Sequence, residues 1–509
     1  MIRAITIAML LCAGSLRAPG QSGFIVQFND VQTGLSGYGH SVREVEDGYL
    51  IFGHQVSADP LGRTHCVIFK VDHEGEFQWR KELAIGFDHD YNWGVYDPVA
   101  SLDTGGFAAV IHRFNGGLAD EYRLYWFNDD GDSTGTLNIG LPIINSPYGG
   151  YYNTRQTRQL ASGGLIVTGS RNQSGSGDSI PSETRAMLFL LDQGLDTLWA
   201  QTYGTVGASV SGYSVSENAY GGYYLGGKFE DGGNMDHCLL ISVDGNGNEL
   251  WRRRFGGRSF TEAHVRARPN GHAITYSSYG EVGWPLSYRQ YLLTEWDENG
   301  DTVWESRSHY GYWSFPGDLE LLSDGSVVTV GEWYGLAQLA KFDNEGDSLW
   351  SRSYEVTNTY HWAYDVQPSS DGGFVATGYA NQGADDPSPG VEVIWVLKTD
   401  SLGCVVPGCQ NVGVQEYAMD LQNLLRVSPN PASDVVQVAL ELPEGGEVEG
   451  RASVQLLDAT GRLVLEQVVQ QNLNQLRATL DVSALPKGTY YLHLRDARRW
   501  LAGSKVVVE

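Results

Sequence analysis

The sequence predicts an all-β protein: a seven-bladed β-propeller closed by an N-terminal strand, followed by a small C-terminal β-sandwich. Three observations carry this. Glycine is 64 of 509 residues and aromatics are 11%, the composition of many short strands joined by tight turns. A glycine-centred strand signal recurs seven times between residues 48 and 378. A second signal, a turn opened by Asp or Asn, closed by Gly and followed by Trp, recurs in the second half of most units.

The N-terminus reads as an export signal. Met1-Ile2-Arg3 is a short basic start, Ala4 to Ala13 is apolar, and Gly14-Ser15 and Ala18-Pro19-Gly20 supply small and turn-forming residues. This is the plan of a secretory signal peptide over residues 1–20, too short to anchor in a bilayer. Cleavage is expected between Ser15 and Gln21. Leu11 before Cys12 is too bulky for lipoprotein processing. No later segment is apolar for about 18 residues, so no transmembrane segment is expected in the mature chain.

Repeats fill the middle of the chain. The second position of each strand signal is Gly48, Gly106, Gly164, Gly222, Gly271, Gly325 or, in Asp371-Gly372-Gly373, Gly373, at spacings of 58, 58, 58, 49, 54 and 48. A period near 50 belongs to propellers and solenoids. The second halves are Asp72–Gly75 with Trp79, Asp244–Gly247 with Trp251, Asp297–Gly300 with Trp304, and Asp343–Gly346 with Trp350. Asp192 and Trp199 keep the offset with the glycine moved to Gly194, while Asn128–Gly131 is followed by Gly135 where Trp is expected. Asp and Asn open such turns by bonding their own backbone, Gly closes them, and Trp is expected to pack between neighbouring sheets. Each unit thus reads as four strands, A to D. The seventh unit stops after Asp400–Gly403, one strand short, and Phe24–Phe28 is a D-like strand left over at the start. Closing a ring with that strand over residues 21–404 removes exposed edges. An open solenoid, or two separate arrays, is the alternative.

After Cys404 the pattern stops. Residues 405–425 read as a linker, and residues 426–509 as an antiparallel sandwich with alternating strands. Pro429-Asn430-Pro431 opens it, Asp458…Gly461-Arg462 makes a tight turn, Gly488-x-Tyr490 begins a strand, and Lys505 precedes a terminal Val run. In this order the motifs resemble the type A C-terminal sorting domain of the type IX secretion system of Bacteroidota. The resemblance implies an address read by outer-membrane secretion machinery and removed after passage, with the preceding repeats as cargo released or held at the cell surface. Charge divides the chain at the same place. The last 84 residues carry 9 basic and 10 acidic residues, leaving 25 basic and 51 acidic on the remainder. The formal charge of −27 argues against nucleic-acid or anionic-membrane binding.

Chemistry-bearing motifs are few. His65-Cys66 and His237-Cys238 occupy matching places in units one and four, on separated blades, and read as buried thiols rather than a shared metal site. Asp244-Gly-Asn246-Gly-Asn248 has the opening of a calcium loop but lacks its Gly at position 6 and Glu at position 12, and reads as a hairpin. The Asp-x-x-Gly-x-x-x-Trp unit faintly resembles the repeat of quinone-dependent propeller dehydrogenases, but the Thr-Gly pair and adjacent cysteines are missing, so no cofactor is expected. There is no Gly-x-Ser-x-Gly, His-Glu-x-x-His or phosphate-binding loop, and no catalytic or metal-ligating residue is assigned.

Propeller ligands meet the loops of one face or the central channel. The residues opening the A strands there are Tyr38, His40, Trp93, Tyr152, Tyr213, His264, His361 and Trp362, with Tyr96 and Arg155 beside them. Aromatic and His side chains suit sugar or peptide contact. Two function classes are open: a non-catalytic secreted or surface propeller binding a glycan or protein, favoured for want of a catalytic motif, and an exported propeller hydrolase or lyase. A disulfide needs Cα atoms within about 7 Å. Cys404 and Cys409 flank a short turn and can meet, whereas Cys66 and Cys238 cannot. Alkylation without reductant is therefore expected to find Cys404 and Cys409 joined in the mature protein, with Cys66 and Cys238 labelled only after unfolding. A Cys66–Cys238 crosslinked peptide in the mass spectrum would overturn the repeat register.

Overall fold

The computed structural model describes residues 23–28, 36–56, 64–83, 90–92, 97–114, 121–139, 150–173, 183–204, 207–230, 236–256, 262–280, 288–308, 311–312, 314–357, 360–382, 391–405, 425–442, 452–458, 462–472, 475–495 and 500–509. The chain divides into two compact units, Met1–Pro407 and Gly408–Glu509. Among the described residues every element is a β-strand, and no helix is long and apolar enough to cross a membrane.

The described residues of the first unit form seven antiparallel sheets, six of them built from consecutive strands. The first is Gly37–Val45, Gly48–Val56, Thr64–Val71 and Phe77–Glu82, in that order across the sheet. The seventh takes its fourth strand from the far end of the chain: Phe24–Phe28 pairs with Val391–Thr399, Phe24 opposite Lys398 and Phe28 opposite Ile394. This is the strand the sequence leaves over.

Strand side chains alternate between two faces, and here both faces are covered. In Leu165–Gln173, Leu165 and Val167 enter an apolar cluster shared with the second sheet, and Ile166 enters one shared with the fourth. The described residues form seven such clusters, one for each pair of consecutive sheets, and one of them joins the seventh sheet to the first through Phe24, Phe28, Tyr49, Phe69 and Val396. Burial on both faces explains the near-continuous apolar B and C strands, such as Leu188 to Leu191.

The parts of the second repeat signal meet in space from one unit to the next. Each turn Asp accepts its own backbone: Asp297 Oδ1 takes the N–H of Asn299 at 2.9 Å and of Asp301 at 2.8 Å. Asp244 is used the same way, by Asn246 and Asn248, and its second oxygen accepts from the Asn248 amide, which leaves the loop a hairpin. The closing glycine then receives the Trp ring of the preceding sheet. A Cβ on Gly131 would lie 2.8 Å from the Trp79 ring, on Gly300 2.9 Å from Trp251, and on Gly403 2.7 Å from Trp350; Gly247 meets Trp199 and Gly346 meets Trp304 in the same way. At the seam between the seventh and first sheets, Phe24 takes the place of Trp, 2.5 Å from a Cβ on Gly75. The second sheet has Gly135 in place of Trp, and the turn it would cover, in the third sheet, closes on Leu195 at φ 67°, not on the displaced Gly194. Leu195 and Trp126 pack instead against the apolar cluster between those sheets.

Cys66 and Cys238 are buried free thiols. Cys404 is disulfide-bonded, and its expected partner Cys409 lies outside the described residues.

The second unit holds two four-stranded sheets around one core that includes Val436, Leu456, Leu480, Leu492 and Val506. Its motif residues tie the start of the unit to its end. The Asn430 amide donates to Lys505 O at 2.6 Å and accepts the Val507 N–H at 2.9 Å, while Pro429 and Pro431 follow cis peptide bonds. Asp458 accepts the Arg462 N–H at 3.1 Å across the turn, whose Gly461 lies outside the described residues. Gly488 begins the strand carrying Tyr490, which is buried and donates its hydroxyl to Pro486 O.

A methyl group on Gly300 meets both the Trp251 ring and a φ of 77°, whereas on Gly105, at φ 86°, it meets open space. Gly300→Ala is expected to cost about 2–4 kcal/mol and Gly105→Ala about 1 kcal/mol. Urea unfolding of the two variants beside the wild type checks the difference.

Candidate functional site

The innermost strand of each sheet positions the candidate site. In five of them a bulge falls at the same register, after Gly39, Thr154, Gly212, Pro316 and Ala363. It pushes His40, Arg155, Tyr213, Gly317 and Tyr364 out of the ladder and re-aims the residues after them. Ser41, Gln156, Ser214, Asp318 and Asp365 then stand at one level, joined by His264 of the fifth sheet through its pairing with Tyr276. Arg43, Arg158, Ser216, Arg266, Glu320 and Gln367 stand two residues further on.

The first level stitches sheets together. Gln156 Oε1 accepts the Val215 N–H at 2.9 Å, Ser214 Oγ accepts the Val265 N–H at 2.7 Å, and Asp365 Oδ2 accepts the Val42 N–H at 2.8 Å. The last of these joins the seventh sheet to the first by the same bond that joins the third to the fourth.

The second level carries charge. Arg43 bonds Asp365 at 2.8 Å and also Asp97, which enters from the second sheet at φ 65°. Arg158 bridges Asp97 at 2.9 Å and Glu320 at 2.5 Å. Arg266 binds Asp318 at 2.9 Å and Glu320 at 2.8 Å, and Gln367 donates to Asp365 at 2.7 Å. Four carboxylates face three guanidiniums, all drawn largely out of water. Burial alone raises Asp97, but Arg43 and Arg158 overcome it and hold that carboxyl below its ordinary range. Burial, with Glu320 beside it, pushes Asp318 well above, and burial carries Asp365 up to about 7. Oxygens of Asp97, Asp318 and Asp365 lie within 4.8 Å of one another, but guanidinium nitrogens already bind them, and the arrangement is that of an ion-pair network.

Toward the start of the inner strands the side chains turn aromatic. Tyr38 lies 4.5 Å from Tyr379, Tyr379 lies 5.2 Å from Trp362, and Trp362 lies 5.3 Å from Phe315, ring centre to ring centre. Arg155 stacks on Tyr213 at 4.0 Å and Arg289 on Phe315 at 4.7 Å. Each of these rings is partly exposed. Beneath them His40 and His54 share a hydrogen bond of 2.6 Å. Burial holds His40 well below its ordinary value, His54 down to about 4 and His264 down to about 3. Glu332 accepts from Trp362 Nε1 at 2.6 Å and from the Gly335 N–H at 3.0 Å, and burial pushes its carboxyl up to about 8. Burial pushes Tyr38 and Tyr213 up to about 12 and keeps both phenols protonated; Tyr38 bonds Glu392, and Tyr213 bonds Glu262. The surface is thus aromatic and polar, with the Arg155 and Arg289 guanidiniums set against its rings.

Of the residues expected to meet a ligand, Tyr38, Tyr213 and Trp362 reach this surface, and His40 and His264 lie buried under it. Tyr152 is an apolar-cluster residue whose backbone is bonded by the Tyr122 hydroxyl. His361 is a backbone clamp: Nε2 accepts from Val356 and Thr357 N–H at 3.0 and 2.6 Å, so Nδ1 carries the proton given to Gly335 O at 2.6 Å. Trp93 and Tyr96 lie outside the described residues. Sequence reasoning missed Phe315, Glu332, Tyr364 and Tyr379, and the whole charge network. Aligning the units on the bulge, where Arg43, Arg158 and Arg266 share one column, is the signal that finds the network.

Residues 426–509 match the secretion system C-terminal sorting domain family. They form the sorting domain of the type IX secretion system, and the chain is exported to the cell surface or secreted. No curated protein matches the chain. Among solved structures it is similar to a puromycin hydrolase mutant complexed with PGG (14% identity, TM-score 0.47, 80% of this chain and 59% of that one). It is also similar to a protein of unknown function from Dyadobacter fermentans (12%, 0.40, 74% and 98%) and to a family-25 polysaccharide lyase, an ulvan lyase (10%, 0.42, 73% and 94%). The chain thus spans 59% of the length of the hydrolase.

The network assigns opposite roles to two aspartates. The Asp318 carboxyl is raised in the folded state by burial and by Glu320, so it detracts from stability as pH rises above the unfolded carboxyl value near 4. Asp97 is ionised when folded, so its contribution is present above that value and is lost as pH falls. At pH 7.5, Asp318→Asn is expected to stay within about 1 kcal/mol of wild type, whereas Asp97→Asn, which leaves Arg43 and Arg158 short of a partner, loses about 3–5 kcal/mol. Denaturant unfolding at pH 5 and pH 7.5 reads both.

Proposed function

We propose that the exported unit is a closed seven-bladed propeller that binds an extracellular glycan or protein through its aromatic face, without catalysis. The observation that carries the binding reading is the convergence of Tyr38, Tyr213, Phe315, Trp362, Tyr364 and Tyr379 on one surface, in a chain whose other aromatic residues mostly sit in clusters between sheets. Aromatic faces framed by hydrogen-bonding groups are the usual lining of a ligand site. Closure is supported by the seam. The seventh and first sheets share an apolar cluster, a side chain over a turn glycine and a carboxylate on a backbone N–H, as neighbouring sheets elsewhere do. In this reading residues 1–20 are removed as a signal peptide, residues 21–404 form the ring, Cys404 pairs with Cys409, and 405–425 link the ring to the sorting domain read by the type IX machinery.

One observation favours a second reading, an exported hydrolase or lyase acting on polysaccharide or peptide. A carboxyl pushed up to about 8, as Glu332 is, has the proton a general acid needs near neutral pH. Both its oxygens are engaged by Trp362 and Gly335, which suits a positioning role better.

The test is a glycan and peptide binding screen of the mature protein alongside a hydrolase and lyase panel. Trp362→Ala and Tyr379→Ala are each expected to weaken binding by about tenfold or more. Turnover by the wild type that vanishes in Glu332→Gln would replace this reading with the second. In a host with the type IX system, a chain lacking residues 426–509 is expected to remain in the periplasm, and its normal appearance outside the cell would refute the export route.

A further inference from the structure

The second unit has two outer sheet faces, and they differ. In its first sheet the side chains turned away from the core are mostly polar: Gln437 stands opposite Thr479 and Val435 opposite Asp481, with Glu441 and Arg477 on the same face. Val435 is the one large apolar residue there among the described residues. The second sheet breaks this pattern. Leu463, Leu457, Tyr491 and Lys505 stand opposite one another in a single row across its four strands, Leu463–Val468, Ser453–Leu457, Gly488–Arg495 and Trp500–Val508. Their neighbours Leu456, Leu492 and Val506 belong to the core, so the row faces outward. Leu463 is 46% exposed and Tyr491 47%, and Val468, opposite Ser453 on the same face, is 55% exposed. An antiparallel sheet with one face in water carries polar side chains on that face, and a row of exposed apolar ones marks a surface that meets a partner.

The sorting motifs hold this row in place. Asn430 bonds the backbone of Lys505 and Val507, and Ala432 donates its N–H to Val507 O and accepts the Glu509 N–H, both at 2.9 Å, so the start of the unit fixes its last strand. Tyr490 is buried and Asp458 is bound by Arg462 across its turn. The side chains of Asn430, Asp458 and Tyr490 are thus spent on the fold, whereas Lys505 is exposed at the end of the outer row. The occupant follows from what the unit does. Residues 426–509 form the sorting domain, so a component of the export machinery has to bind it. The charges on the face are Lys505 and Arg495 against Glu466, which already accepts from Ser453 and Gln455. His493, also on this face, is held below its ordinary value by burial. The partner that fits presents an apolar patch bordered by carboxylates.

We propose that the type IX machinery docks on this outer face, with the row of Leu463, Leu457 and Tyr491 as the apolar anchor and Lys505 as the charged end that sets its direction. This rests on residues 426–509 directing export. The test measures the extracellular and periplasmic fractions of the full chain in a host with the type IX system. Tyr491→Ser and Lys505→Glu are each expected to lower the extracellular fraction about tenfold and leave the chain in the periplasm, while Tyr491→Phe and Val435→Ser are secreted as the wild type is. These positions are exposed, and thermal melting of the purified chains is expected to show a folded second unit in each. Normal secretion of Tyr491→Ser would overturn the proposal. So would a loss in Val435→Ser equal to that in Tyr491→Ser, or losses that simply follow the melting temperatures. The chain lacking residues 426–509 separates the two levels. If that deletion blocks export and Tyr491→Ser does not, the docking face fails and the sorting role stands; if the deletion is secreted normally, the sorting role itself fails. A dimer in sedimentation that Tyr491→Ser dissolves, with secretion unchanged, would give the face to a second copy of the chain and overturn the proposal.

Discussion

The contact on which the first unit depends is an aromatic ring laid over a turn glycine of the next sheet. It joins the two ends of the second repeat signal across neighbouring units: Trp from the outer strand of one unit, and the glycine that closes the Asp-initiated turn of the following one. Neither is free to vary alone, since a side chain on Gly300 or Gly403 would stand where the ring already is. The exceptions obey the same logic. The second sheet has no such Trp, and the turn it would cover admits Leu195. The seventh sheet borrows its outer strand from the N-terminus, and Phe24 covers Gly75.

Inside this frame the inner strands carry a cost that the outer strands do not. Guanidiniums and carboxylates from six of the seven sheets meet with little water, and desolvating such groups is repaid only where each finds a partner. The partners here come from different sheets: Arg43 from the first, Asp97 from the second, Arg158 from the third, Arg266 from the fifth, Asp318 and Glu320 from the sixth, Asp365 from the seventh. The network therefore rewards correct assembly of the whole set. It also underlies the aromatic face, since the bulge that aims Asp318 and Asp365 inward sets Arg155, Tyr213 and Tyr364 at the level above.

The candidate face shows how position and role separate. Tyr38 and Trp362 open their strands and reach the surface, as their place in the repeat implies. His361 opens a strand too, yet both its nitrogens are taken by backbone groups of Gly335, Val356 and Thr357. Tyr152 opens another and is drawn into an apolar cluster. Tyr364 and Tyr379, which do shape the face, sit in the middle of strands where period-two reading assigns them to packing.

From the sequence alone came the all-β class, the recurring antiparallel strand units, four-stranded in five of the seven sheets and five-stranded in the second and fifth, the leftover strand Phe24–Phe28, and the sorting domain. These rest on local rules: glycine where a turn needs positive φ, aspartate where a turn needs an acceptor, apolar runs where both faces are covered, and a motif order read along the chain. Only the tertiary structure decided what the inner strands do. Arg43 meets Asp365 across 322 positions of sequence and Arg158 meets Glu320 across 162. A charge in a strand reads locally as a solvated face, and whether it is solvated or paired depends on what five other sheets bring to the same point.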